Sequence, residues 1–119
     1  MKLTAQQVQQ YHERGYILFP NLLDQDEVAE LQAALPDIFA RQGPEIIREQ
    51  DDPDAVRLAF GAHIYSPPFQ CLATSDRLVN PVRQLLRDDA YVHQSRINPK
   101  QGFGSGASWA WHQDYPPWR

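Results

Sequence analysis

Capped helices come first in this chain and most strand candidates later, with no regular strand–helix alternation. That order most narrows the choice of fold: it argues for an α+β class over a doubly wound parallel sheet. Thr4 with Gln7 has the spacing of a capping box and Gly15 supplies a stop, so residues 5–14 are predicted to be helical. Tyr16-Ile17-Leu18-Phe19, closed by Pro20, is expected to be a buried strand. Asp24 with Glu27 is a second capping signature. Val28, Leu31, Leu35 and Ile38 behind it predict an amphipathic helix to about Arg41, kinked or shortened at Pro36 and ended by Gly43-Pro44.

The later elements are strand candidates with one further helix among them. Residues 45–50 and 55–64 are strand candidates on either side of an Asp51-Asp52-Pro53-Asp54 turn, and Ser66-Pro67-Pro68 is expected to break the chain. Ser75 or Asp76 can cap a helix carrying Leu78, Val79, Val82, Leu85 and Leu86, with Pro81 as an alternative first turn. Residues 91–98 alternate as a strand, 101–106 form a glycine-rich loop, and 108–112 form a last strand.

Bulk properties exclude several function classes. A chain of 119 residues has room for one domain, and a formal charge of −4 argues against a nucleic-acid surface. No apolar run approaches the roughly 20 residues needed to span a bilayer. Met1-Lys2-Leu3-Thr4 is not followed by the apolar core of an export signal, so a cytoplasmic location is expected, with no membrane association. The lone Cys71 has no internal disulfide partner and is expected to be a small buried hydrophobe. Chemistry-bearing residues crowd towards Arg119, so residues 1–119 are expected to form a single incomplete domain, the N-terminal portion of a longer one.

The densest of that chemistry is Trp111-His112-Gln113-Asp114. On an extended strand, residues two apart share a face, so His112 and Asp114 project together. An imidazole beside a carboxylate can occupy two sites of a divalent metal, and a second His would complete a 2-His-1-carboxylate face. The bland alternative is a surface His next to an acid, since H-x-D is common by chance. The strand Tyr91–Asn98 adds context, because it sets Gln94, Arg96 and Asn98 on one face with Lys100 following. Such a row faces either solvent or a polar ligand cavity, because an unpaired buried polar group costs roughly 1–3 kcal/mol. His12, His63 and His93 are each read as structural rather than as the missing ligand.

Together these residues resemble the phytanoyl-CoA dioxygenase-like family, and within it the ectoine hydroxylases. The resemblance rests on Ile47-Arg48-Glu49 with Val56-Arg57, on Asp89 through Lys100, and on Trp111-His112-Gln113-Asp114-Tyr115 with Trp118. It implies a double-stranded β-helix, or jelly-roll barrel, with packed helices, of which this chain is the N-terminal part. It implies a hydroxylase that uses Fe(II), 2-oxoglutarate and oxygen on a small-molecule substrate, a polar metabolite such as an amino acid or ectoine. Position by position, His112 and Asp114 match the metal ligands, Lys100 and Asn98 the region that holds 2-oxoglutarate, and Gln94 and Trp118 the substrate contacts. The resemblance places the third ligand, a His, roughly 90–110 residues after Asp114, with an anchoring Arg soon after it. The 119-residue segment alone is accordingly expected to be inactive. A homodimer stays open. So do two rival readings, a non-catalytic remnant of the same fold and a family member acting on an acyl substrate.

Overall fold

The first helix begins where its capping chemistry says it must. In the computed structural model, which describes residues 1–100 together with Trp111 and His112, α1 spans Ala5–Arg14. The Thr4 hydroxyl accepts from the Gln7 amide at 3.2 Å, and the Gln7 side chain accepts from the Thr4 amide at 2.9 Å. Each pairing satisfies a donor that the helix leaves orphaned. Gly15 closes α1 at φ +82, a left-handed conformation that favours glycine. Just ahead, the Gln84 side-chain amide exchanges two hydrogen bonds with the backbone of Leu3, at 2.8 and 3.0 Å, as a neighbouring strand would.

Tyr16–Phe19 is not a strand. Ile17 and Phe19 are half-buried while Tyr16 and Leu18 face outward, so the alternation is present. What is missing among the described residues is a neighbouring strand to complete the backbone ladder.

Helix α2 (Gln25–Ala33) starts on the second capping box, with Asp24 and Glu27 bonded reciprocally at 2.8 and 2.9 Å. It stops at Ala34, and α3 (Leu35–Phe39) restarts with Pro36 in its first turn. The expected break is therefore real: proline has no amide to continue the ladder but suits a first turn. Ile38 points from α3 into the core, where it is 3% exposed.

That core lies between α3 and a three-stranded antiparallel sheet of order β1-β2-β3, comprising Ile46–Arg48, Val56–Phe60 and Arg96–Ile97. Ala59 sits at its centre, paired with Ile46 on one side and Ile97 on the other, and is fully buried. Ile38, Ile46, Val56, Ala59 and Ala62 form the cluster, with Phe39, Phe69 and Ile97 packed against it. The β1–β2 register slips between Ile47 and Arg48, which frees the Arg48 guanidinium to donate to the carbonyls of Asp54, Phe39 and Arg41 at 3.0–3.2 Å. Helices and a compact antiparallel sheet together are the expected α+β class.

Three further expectations need correction. The strand predicted to reach Ile64 ends at Phe60, because Gly61 turns at φ +67 into the one-turn helix α4 (Ala62–Tyr65). Pro67 and Pro68, read as a break, instead open α5 (Pro67–Thr74), since the first amides of a helix need no intrahelical acceptor. Helix α6 (Asp76–Leu86) begins after Ser75, where its capping residues predict it, and Pro81 lies buried in its interior. On α5, Cys71 is exposed, not the buried hydrophobe that its apolar neighbours suggest. Among the described residues no helix is long and apolar enough to cross a membrane.

Arg77 joins the two halves of the helical layer. Its guanidinium pairs with both carboxylate oxygens of Glu27 and donates to the Leu22 carbonyl at 2.9 Å. The Arg77 hydrogen bond, followed by the Asp24 amide, holds the Glu27 carboxyl below the usual carboxylate range. A depressed carboxylate stabilises the fold above its unfolded value and loses that contribution as pH falls through the folded value. Glu27→Gln should therefore lower the melting temperature at neutral pH and flatten its decline below about pH 4.3. Thermal melts of both proteins at a series of pH values check this; parallel curves would exclude it.

Candidate functional site

The polar row is built where the chain returns from α6 to the sheet. Only Arg96 and Ile97 pair with β2, so the strand predicted over residues 91–98 is far shorter than expected. Tyr91, Val92 and His93 are all exposed and pair with no strand among the described residues. From Gln94 onward exposure alternates: Gln94, Arg96, Asn98 and Lys100 face outward, while Ser95, Ile97 and Pro99 are half-buried. Ile97 anchors the alternation by packing on the core cluster. Two amides and two cations thus share one side of an extended segment, a set of groups suited to an anionic or zwitterionic ligand.

His112 is exposed and, like the fully exposed Trp111, belongs to no helix or strand. The rest of the predicted 108–112 strand, the 101–106 loop, Asp114 and Trp118 lie outside the described residues. Among the described residues no three His, Cys, Asp or Glu side chains come together as a metal cage. The donor set of His112 with Asp114 nevertheless fits Fe(II) in kind, an imidazole nitrogen and a carboxylate oxygen, and is one ligand short. His12 and His93 are exposed. His63 is half-buried, with its Nδ1 2.6 Å from the Ser95 hydroxyl.

That last contact has almost no signature in the sequence. Ser95 is an unremarked residue between two polar ones, and its partner is 32 positions away. The only available signal is parity, which puts Ser95 on the face opposite Gln94 and Arg96. A surface cleft of about 240 Å³ between α3 and the start of α5, lined by Asp37, Ile38, Arg41, Tyr65 and Pro67, contains none of the candidate residues. There the Arg41 guanidinium lies 4.1 Å from the centre of the Tyr65 ring, and the Tyr65 hydroxyl donates to the Phe60 carbonyl at 3.0 Å. Burial raises the Tyr65 phenol above its usual value, so it serves as a neutral donor.

Comparison with known proteins bears on the arrangement as a whole. The chain is 40% identical over 121 aligned residues to an ectoine dioxygenase from Bordetella bronchiseptica, covering 98% of this chain and 38% of that protein. It is 34% identical over 119 residues to the ectoine dioxygenase of Halomonas elongata, covering 98% and 36%. Among solved structures, the S. alaskensis EctD crystal structure with bound Fe superimposes with a TM-score of 0.87 at 35% identity, covering 98% of this chain and 42% of that one. EctD from the same organism with 2-oxoglutarate and 5-hydroxyectoine gives 0.72 at 34% identity, over 81% and 35%. The chain therefore spans well under half the length of these relatives. The model of the phytanoyl-CoA dioxygenase (PhyH) family matches residues 11–119, and with that match this chain belongs to the phytanoyl-CoA dioxygenase family.

Proposed function

We propose that this chain is the N-terminal part of an Fe(II)- and 2-oxoglutarate-dependent dioxygenase that hydroxylates an unactivated C–H bond of a small polar metabolite, ectoine or an amino acid. The observation that carries this reading is the 0.87 superposition of 98% of the chain on an iron-bound relative. In this reading the three-stranded sheet is the opening portion of a double-stranded β-helix, which is completed by residues beyond those of this chain. Ferrous ion, when bound, couples oxidative decarboxylation of 2-oxoglutarate by O2 to hydroxylation of the substrate, leaving succinate and CO2.

The residues of this chain supply the geometry. His112 and Asp114 give two of the three protein ligands, and both must be deprotonated at the metal-binding atoms. Lys100, exposed at the end of the polar row, meets the distal carboxylate of 2-oxoglutarate as a point charge, and Asn98 adds an amide donor beside it. Gln94, on the same side, offers both a donor and an acceptor to the substrate. Trp118 offers the face of an indole to a delocalised cation. A small zwitterion matches this combination better than an apolar chain would, because amides and a cation pair with charged and hydrogen-bonding groups.

Product analysis tests the proposal. The full-length protein, supplied with Fe(II), 2-oxoglutarate and oxygen, should form succinate and a hydroxylated product from ectoine or an amino acid. Turnover of acyl thioesters in place of these would overturn the substrate assignment. No succinate and no hydroxylated product with any of them would leave only a non-catalytic remnant of the fold.

A further inference from the structure

One corner of the sheet holds the polar row in place. At the end of β2, Gly61 turns with φ +67 and donates its amide to the Ser95 carbonyl at 2.9 Å. Two residues later, on α4, His63 sets its Nδ1 2.6 Å from the Ser95 hydroxyl. Ser95 is thus gripped by backbone and side chain from the same short turn. A Cβ on Gly61 would lie 3.4 Å from Ile64, in ordinary contact, so its positive φ is what calls for glycine there.

The grip matters because the ladder beside it is so short. Two pairs, Ala59 with Ile97 and Phe60 with Arg96, join β3 to β2. In an extended segment a slip of one residue turns every side chain to the opposite face. Such a slip would bury Gln94 and Arg96 and turn Ser95 outward. A polar contact specific to Ser95 opposes it, and only one alignment satisfies that contact. Imidazole suits this role because a serine hydroxyl both donates and accepts, so the bond forms with either neutral tautomer of His63.

We propose that His63 is a positioning residue which, by holding Ser95, sets the register of the Gln94–Lys100 row and so aims the groups that receive substrate and 2-oxoglutarate. This rests on the function proposed above for that row. Nothing in it requires His63 to touch either ligand.

The test uses the full-length protein with Ser95→Ala, His63→Leu, the double variant and His63→Asn, which keeps a polar atom close to the position of Nδ1. Ser95→Ala and His63→Leu should each raise the KM for 2-oxoglutarate and for substrate roughly fivefold, the worth of one hydrogen bond, with kcat little changed. The double variant should be no worse than either single one, and His63→Asn should recover most of the loss. Amide hydrogen exchange, read without metal or substrate, should quicken across residues 94–98 in both single variants. Unchanged KM in an active enzyme, or single effects that add in the double variant, would overturn the assignment. Unchanged exchange across 94–98 would overturn it as well. Were the wild-type protein to hydroxylate nothing while exchange still quickened, the latch would stand and the hydroxylase reading would fall.

Discussion

Replacing His112 with alanine in the full-length protein should abolish the charge-transfer band that appears when Fe(II) and 2-oxoglutarate are added without oxygen, and turnover should vanish with it. The magnitude can be bounded from below. Removing a group that merely orients a metal ligand costs roughly 10–100-fold in metal affinity or activity, so removing the ligand itself should cost more than about 100-fold. The loss should not arise from unfolding, because His112 is exposed and lies outside the helices and strands. Surface substitutions of this kind usually change stability by no more than about 0.5 kcal/mol. The variant should therefore melt with the wild type while failing to develop the band. Lys100→Ala is the informative contrast. It should leave the band attainable at high 2-oxoglutarate and raise the concentration needed to reach it, since Lys100 is assigned to the distal carboxylate. An unaltered band in His112→Ala would remove this residue from the metal site and the family-based ligand assignment with it.

What can be read in the sequence divides along a physical line. Signals that act within four residues are legible: the Thr4–Gln7 and Asp24–Glu27 capping boxes, the stop at Gly15 and the interruption at Pro36. Each is a local satisfaction of orphaned amides or a local steric rule, and no distant residue can overrule it cheaply. Signals that depend on a partner are not. Tyr16–Phe19 has a strand's composition without a described neighbour to pair with, and Tyr91–His93 likewise. Proline is the local signal that misleads: Pro67 opens α5, where a first-turn amide needs no intrahelical acceptor, whereas Pro81, the alternative first turn, lies buried inside α6. In the candidate site, parity alone sets Gln94, Arg96 and Asn98 on one side, whereas the His63–Ser95 contact that holds them there joins residues 32 positions apart. Asp114 and Trp118 lie outside the described residues and remain assignments from the sequence and its family resemblance.

The largest stability loss should come from Ile38→Ala. Helix α3 has five residues and no side-chain cap, too short to persist by its own hydrogen bonds. It stays in place because Ile38, 3% exposed, fills the space against Ile46, Val56, Ala59 and Ala62. Truncating such a side chain typically costs about 2–5 kcal/mol, through lost transfer energy and the cavity left behind. The upper part of that range applies, because the cavity wall opposite Ile38 cannot collapse inward. Ala59 and Ala62 have no side-chain length to give, and both strands flanking Ala59 are fixed by their register. Losing α3 would also release the Phe39 and Arg41 carbonyls from Arg48, so the bulge in β1 would loosen with it. Ile47→Ala is the control: one strand position away from Ile46 and 43% exposed, it should cost under about 1 kcal/mol. Urea unfolding should show the Ile38→Ala midpoint well below wild type with an unchanged slope, and the Ile47→Ala midpoint close to it. Equal shifts for the two would mean that the core is not where the α3–sheet contact puts it. The consequence should reach the candidate site, because β2, whose inner face Ile38 covers, is the strand on which Arg96 and Ile97 are hung. Ile38→Ala should accordingly weaken 2-oxoglutarate binding as well as stability, although a core residue on α3 never meets the ligand itself.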